Sequence, residues 1–355
     1  MEQALPSERK AALLDGLSSI KMAQIPMPEY GDTDVVVRIK SIGICGSDLV
    51  YYQKGGSAFS KIKFPHVLGH EASGEVVAIG KAVKNIAVND RVAIEPGVPC
   101  GKCDLCKSGH YNLCKRVSFM STPIYVPYSE GAFVEYSIRP AEWVYKIPER
   151  MSFDEGAMIE PLAVGMQAVE QSTGNVGMSA IILGCGPISL CIMYALHAKG
   201  IHKIFMVDVI KPRTLLAKKL GASEVFSALD KEDRAVIIKT VEKDGVDLIF
   251  DTTNFMPLVN QAIDLLGKNG HITMLGVPDD DYISLNYREL FMRQASVHTS
   301  FRYANQYKKA IDLVSQRIIP IANIITHTFP FSNAKEALDL AVGKEGAVMK
   351  VVLSI

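Results

Sequence analysis

The chain has 355 residues, and its 38 basic and 38 acidic side chains cancel; 48% of its residues are hydrophobic and 21% charged. This is longer than one hydrophobic core ordinarily fills, so two domains are expected. The balanced charge argues against a nucleic-acid or membrane-surface partner, and no apolar run reaches the ~18 residues of a membrane span.

The first ten residues, Met1 to Lys10, do not lead from a basic stretch into an apolar one, so a secretory signal is not expected. Seven cysteines are an odd number, and four of them fall between positions 100 and 114. That clustering predicts a metal site rather than a disulfide framework, and with it a reducing, cytoplasmic compartment.

Residues 34–40 (DVVVRIK) are rich in β-branched side chains and predict a strand. The turn after it, Gly43-Ile44-Cys45-Gly46-Ser47-Asp48, is answered by Leu68-Gly69-His70-Glu71. A thiolate, an imidazole and a carboxylate on glycine-rich turns are the donors of an open zinc site, in which three protein ligands leave a fourth position free. A buried core cysteine is the plainer reading of Cys45 alone; the glycine-flanked settings of all three favour metal. Residues 75–80 and 90–94 predict further short strands, and turn residues at this spacing suggest a small all-β barrel over roughly the first 150 residues.

Cys100-x2-Cys103-x2-Cys106-x7-Cys114 follows. Four thiolates this close can close a tetrahedron around zinc with no open position, which describes a structural site. The few neighbouring basic residues (Lys102, Lys107, Lys115, Arg116) make a nucleic-acid knuckle the weaker alternative. Glu160, in Ile159-Glu160-Pro161-Leu162, is a second candidate carboxylate for the open site. Glu71 and Glu160 compete there for one position, and the sequence does not rank them.

Beyond Pro161 the pattern changes. Residues 179–183 (SAIIL) form a short apolar strand, and Gly184-Cys185-Gly186-Pro187 opens a helix to about Lys199. A second strand ends at Asp208, a helix runs from Pro212 to Leu220, and strands end near Asp251 and Gly276. This alternation implies βαβ units around a parallel sheet. Gly184-x-Gly186-x2-Ser189 allows a tight turn with a pyrophosphate at the helix N-terminus, and Asp208 is placed to accept hydrogen bonds from an adenosine ribose. Its charge opposes a 2′-phosphate and favours NAD over NADP, although Lys211 and Arg213 keep NADP open. Serine at the third glycine position is small enough to keep helix and strand close.

Ser300-Phe301-Arg302-Tyr303 reads either as a domain junction with a snorkelling arginine or as a polar lid over substrate hydroxyls. The last fifty residues lack an independent core and are expected to return to the first domain.

Taken together, these motifs resemble the zinc-containing medium-chain alcohol dehydrogenases and, within them, the sorbitol (polyol) dehydrogenase branch. The resemblance runs from about Val35 to the C-terminus, with Ala93-Ile94-Glu95-Pro96-Gly97 and Tyr111-Asn112-Leu113-Cys114 adding to the motifs above. The branch rests on Tyr51, Phe119 and Phe301-Arg302-Tyr303. It implies an α/β protein: a GroES-like β-barrel catalytic domain (residues 1–162 and 301–355) around a Rossmann doubly wound parallel-sheet domain (163–300).

The same resemblance implies a catalytic zinc on Cys45, His70 and Glu71 with Glu160 at the site, and polyol contacts from Tyr51, Phe119, Glu160, Arg302 and Tyr303. NAD contacts would come from Gly184, Gly186, Pro187, Ile188, Asp208, Arg213, Leu275, Gly276 and Val277, with Ser300, Phe301 and Arg302. The implied reaction is reversible oxidation of a secondary alcohol of a polyol to a ketose, with NAD as hydride acceptor and Ser47 and Glu160 passing on the hydroxyl proton. Branch members are commonly homotetramers, so a tetramer or dimer is expected. Dehydrogenases of polyol phosphates, of butanediol or of threonine are the alternatives among enzymes. A catalytically silent zinc protein is the alternative outside them.

Overall fold

The computed structural model describes residues 5–56, 60–123, 129–276, 281–343 and 348–355. The described chain divides into two compact units. One runs up to Glu160 and resumes at Tyr307–Ile355, and the other is Pro161–Gln306.

The first unit opens with β1 (Glu8–Gly16), β2 (Ser19–Pro26) and β3 (Asp34–Gly43), followed by helix α1 (Gly46–Lys54). Next come β4 (His66–Val67), β5 (Glu71–Ile79), β6 (Arg91–Ile94) and β7 (Gly97–Val98), then helix α2 (Asp104–Lys107). β8 (Ser118–Phe119), β9 (Tyr136–Pro140), β10 (Val144–Lys146) and helix α3 (Phe153–Ala157) complete its first part. β3, β5 and β6 are strands expected from the sequence; β1 and β2 are additional. Their charged residues Glu8, Arg9, Lys10 and Lys21 hide an antiparallel hairpin whose buried residues include Ala11, Ala12 and Leu14.

Helix α4 (Ile159–Gln171) leads into the second unit: β11 (Ser179–Leu183), α5 (Pro187–Ala198), β12 (Lys203–Val207), α6 (Lys211–Leu220), β13 (Glu224–Phe226) and α7 (Lys231–Val241). It continues with β14 (Val246–Asp251), α8 (Met256–Ile263), β15 (Leu266–Met274), α9 (Tyr287–Arg293) and β16 (Ser296–Thr299). The strands form one parallel sheet in the order β13-β12-β11-β14-β15-β16. All five residues of β11 are buried, as a central parallel strand covered on both faces requires. The unit extends beyond Ser300, where the sequence set the boundary. Gln167 of α4 accepts hydrogen bonds from Ala304 N (3.2 Å) and Gln306 Nε2 (3.3 Å), which binds 304–306 to this unit.

The chain ends with α10 (Tyr307–Ser315), β17 (Ile325–Pro330), α11 (Ala334–Gly343) and β18 (Lys350–Ser354). Tyr307 fastens this segment to the first unit by donating its hydroxyl to Ile94 O at 2.8 Å. β18 enters a seven-stranded sheet, β10-β6-β5-β3-β18-β17 with β9 also on β3, and pairs antiparallel with β3 at Val352↔Gly43. β3 in turn pairs with β5 at Gly43↔Glu71. The end of β3 therefore lies between the start of β5 and the last strand of the chain.

Phe205 on β12 is fully buried in the core of the second unit. Phe205→Ala should lower that unit's stability by about 3–5 kcal/mol through lost burial and the cavity left behind. An earlier urea midpoint in far-ultraviolet circular dichroism would register it.

Candidate active site

Cys45 is the N-cap of α1, and Asp48, one turn on, accepts a hydrogen bond from Cys45 N at 3.0 Å. The other Asp48 oxygen accepts from Gly69 N at 3.0 Å. One fully buried carboxylate thus joins the Cys45 turn to the residue before His70. Gly69 has φ +92°, and a Cβ there would meet the Phe133 ring at 2.4 Å, so the turn accepts only glycine. His70 Nδ1 lies 3.8 Å from Asp48 Oδ1. Glu71 opens β5 and is not on a turn, which corrects the sequence expectation and fixes its side chain to a sheet.

The donor atoms of Cys45, His70 and Glu71 all lie within 4.8 Å of one another. Glu160 is outside that group, although it is buried and its charge acts on His70. Burial alone would push His70 down. Interactions with Cys45, Asp48 and Glu160 overcome that and raise it to about 10.

Phe119 on β8 is buried with its ring 5.7 Å from that of His70. Tyr51 is buried on α1; its hydroxyl lies 2.9 Å from Ser60 Oγ and its ring 5.9 Å from His66. His66, unexplained by the sequence, is buried with Nε2 3.1 Å from Ser121 O. Ser47 is exposed in the first turn of α1.

The sulfurs of Cys100, Cys103, Cys106 and Cys114 form a second group within the same 4.8 Å limit. Cys103–Cys106, Cys103–Cys114 and Cys100–Cys106 are separated by 3.4, 3.9 and 4.0 Å. Zinc–sulfur bonds of ~2.3 Å in a tetrahedron require edges of about 3.8 Å, so these thiols fit one ion. Arg116 Nη2 approaches Cys100 Sγ at 3.4 Å, and the backbone N–H groups of Cys100 and Arg116 both point at Cys114 Sγ at 3.4 Å.

In the second unit, Gly184 has φ +100°, and a Cβ there would meet Thr252 Oγ1 at 2.5 Å. A Cβ on Gly186, the N-cap of α5, would meet nothing within 4 Å, so this backbone lies open to a ligand. Pro187 and Ile188 start that helix. Ser189 is fully buried with Oγ 2.9 Å from Thr252 Oγ1, the close helix–strand approach expected of a small third residue. Asp208 follows β12 and accepts from Cys185 N and Ile210 N, each at 2.8 Å. Arg213 is half-buried in the first turn of α6.

Leu275 N donates to Asp251 O at 2.9 Å, and Gly276 lies against Asn254; Val277 is outside the described residues. Ser300 N donates to Met274 O at 3.0 Å. Phe301 is about half exposed, the Arg302 guanidinium lies 5.0 Å from its ring centre, and Tyr303 is buried.

Residues 31–149 match the alcohol dehydrogenase GroES-like domain family, and residues 187–316 the zinc-binding dehydrogenase family. A sorbitol dehydrogenase of Bacillus subtilis is 33% identical over 354 residues, 99% of each chain. The chain belongs to the zinc-containing medium-chain alcohol dehydrogenases, in their polyol branch. An Escherichia coli oxidoreductase/dehydrogenase of unknown specificity superposes with a TM-score of 0.91 at 32% identity, over 98% of this chain and 99% of that one. A short chain alcohol dehydrogenase from Escherichia coli, complexed with the cofactor NADH, gives 0.88 at 26% identity, over 99% and 100%. The GroES-like and Rossmann folds expected from the sequence are those of the family.

In this zinc dehydrogenase three further side chains, Asp48, Lys350 and Glu95, have structural roles that their sequence motifs do not assign. Lys350 Nζ donates to both Glu71 oxygens at 2.7 Å. Glu95, just after β6, is buried and accepts from the hydroxyls of Tyr111 (2.9 Å) and Tyr145 (2.8 Å). Burial pushes its carboxyl from 4.5 up to about 7, against the pull of those hydroxyls and of Arg139, with Glu160 adding to the rise.

The folded chain therefore holds a proton on Glu95 that the unfolded chain has released. The resulting stabilisation is complete below about pH 4.5 and lost as the pH climbs through about 7. Between those limits, Glu95→Gln should gain on the order of 3 kcal/mol relative to the parent chain. Urea midpoints of both proteins across that range measure it, and parallel profiles would refute the shift.

Proposed function

We propose that the chain is an NAD-dependent zinc dehydrogenase that interconverts a secondary alcohol of a free polyol, of the sorbitol or xylitol kind, with the corresponding ketose. The observation that carries this reading is the convergence of Cys45, His70 and Glu71 to within 4.8 Å. These three residues would hold the catalytic zinc with Glu160 beside them, and Cys100, Cys103, Cys106 and Cys114 a structural one. The unit up to Glu160 with Tyr307–Ile355 then acts as the zinc domain, and Pro161–Gln306 as the NAD domain. When bound, zinc supplies Lewis-acid polarisation of the reacting hydroxyl, and NAD accepts the hydride.

The rest falls to the chain's own groups. Asp48 faces His70 Nδ1 and leaves Nε2 as the ligand nitrogen. Ser47, exposed beside Cys45, takes the hydroxyl proton toward solvent. Glu160 is the buried carboxylate available to share that proton. Phe119 covers one side of His70 and limits water, and the hydroxyls of Tyr51 and Tyr303, with Arg302, are assigned to the polyol.

Free polyol is favoured over its phosphate because a phosphate requires additional cations. Arg116 is engaged with Cys100, and Lys54 and Lys61 are exposed on the surface.

For the cofactor, Gly184, Gly186, Pro187 and Ile188 offer the open turn, with Arg213, the Leu275-Gly276-Val277 backbone, Ser300, Phe301 and Arg302 as further contacts. Each Asp208 oxygen accepts one backbone N–H and keeps a lone pair for ribose hydroxyls. The seven free cysteines support a reducing, cytoplasmic setting. A homotetramer or homodimer is supported by apolar exposure of Tyr287, Phe291 and Met292 on α9 and Val297 on β16. No helix among the described residues is long and apolar enough to cross a membrane.

Cys45→Ala should lower polyol oxidation by about 10³-fold or more while NAD affinity changes less than about twofold. Retained turnover in a metal-checked variant would sink the assignment. On the parent enzyme, a panel of sorbitol, xylitol, ribitol, galactitol, their phosphates, butanediol and threonine should show the highest kcat/KM for a free polyol. Asp208→Ala should weaken NAD by about tenfold and bring NADP close to it, read by calorimetric titration of both dinucleotides.

A further inference from the structure

Lys350 is the first residue of β18 and is 3% exposed, although the residues after it, Val351-Val352-Leu353, are apolar core. Its ammonium donates to Glu71 Oε1 and Oε2, both at 2.7 Å, and to Ile44 O at 3.2 Å. The Glu71 carboxylate is enclosed on another side by Gly43, where a Cβ would fall 2.0 Å from Oε2. The strand register produces this arrangement, since Gly43 pairs with Glu71 on β5 and with Val352 on β18.

We propose that Lys350 is a positioning residue that competes with the metal for Glu71 and so sets how strongly this carboxylate serves as a ligand. The inference rests on the metal reading of Cys45, His70 and Glu71. A thiolate and two or three buried carboxylates around a divalent ion give a donor set of excess negative charge. Lys350 neutralises one of those charges by donating to both Glu71 oxygens. Both Glu71 oxygens are already bonded, so an ion takes the carboxylate only by sharing it with the ammonium. Removing the ammonium leaves a buried carboxylate whose remaining counter-charge is the ion, and the ion is then held more tightly. A lysine that merely filled space in the sheet would leave metal affinity alone, and one that only oriented Glu71 would lose affinity on removal.

The test is zinc release to a chelator from the purified enzyme, followed by a colorimetric zinc indicator. The phase missing from Cys45→Ser protein reports this ion and is separate from the four-cysteine ion. Lys350→Met should slow that phase and tighten the site by about tenfold or more, while Lys350→Arg, which keeps a cationic donor, stays within about twofold of the parent. Lys350→Gln keeps a donor toward Ile44 O without the charge and carries the same expectation as Met should the latter fail to fold.

In a Glu71→Gln background, removing the ammonium should change nothing further. That double variant removes both members of the Lys350–Glu71 ion pair, so neither is left buried alone. Unchanged or weaker zinc in both neutral variants would overturn the proposal, as would tightening that persists without Glu71. The first two outcomes leave the metal reading standing, because the Cys45-dependent phase is still seen. If the parent enzyme shows no such phase, the metal reading fails and the proposal with it.

Discussion

The first unit is organised around a concentration of buried negative charge. Asp48, Glu71 and Glu160 are each no more than 5% exposed and stand around one imidazole and one thiol. Carboxylates withdrawn from water are tolerated only with donors or cations at hand. Asp48 is satisfied by the N–H groups of Cys45 and Gly69, and Glu71 by Lys350. Those partners arrive from the start of α1, the turn before β5 and the last strand of the chain. This explains why a segment more than two hundred residues away in sequence returns to pair with β3.

The second unit meets a different requirement with different means. A dinucleotide turn needs backbone that a ligand can approach and a carboxylate held in one orientation. Gly184 and Gly186 supply the first, and Asp208 is fixed by two backbone N–H groups on either side of it. Ser189 shows how far the three-glycine pattern can bend. Its hydroxyl finds Thr252 Oγ1, so the added side chain becomes a helix–strand bond instead of a clash. The first unit gathers charge, whereas the second keeps its turn open.

Much of this was legible in the sequence because it was local. Four cysteines within fifteen positions, a fully apolar strand running into Gly-Cys-Gly-Pro, and Asp208 at a strand end each carry their meaning in a short window. What escaped was set by pairing across the chain. Asp48 occupies the third helical position after Cys45, a local signal of capping, but its second role at Gly69 depends on the fold. Lys350 was visible as one charge opening an apolar strand; its partner could be named only once β18 was placed beside β3. β1 and β2 were overlooked because Arg9 is buried with its charge satisfied by Glu130, so the hairpin lacks the apolar alternation that marks a strand. The second unit runs on to Gln306 because side-chain bonds to Gln167, and not a change in composition, decide where it ends.

The four-cysteine lobe has the features of a site for a structural metal. Helix α2 and the short turn Tyr111–Leu113 contain no buried residue, and Cys114 and Val117 behind them are buried, so this lobe buries little apolar surface. Segments that bury so little surface require a covalent or metal staple. Its sulfurs stand at the spacing of one ion. The lobe is joined to the barrel through the β7–β8 pair and through Tyr111, whose hydroxyl reaches Glu95. Glu95 also holds Tyr145, whose ring lies 5.3 Å from that of Tyr307, and the Glu160 charge helps keep Glu95 protonated. The lobe is thus tied toward the candidate active site by the Tyr111–Glu95 hydrogen bond and by Phe119 of β8, whose ring lies 5.7 Å from that of His70.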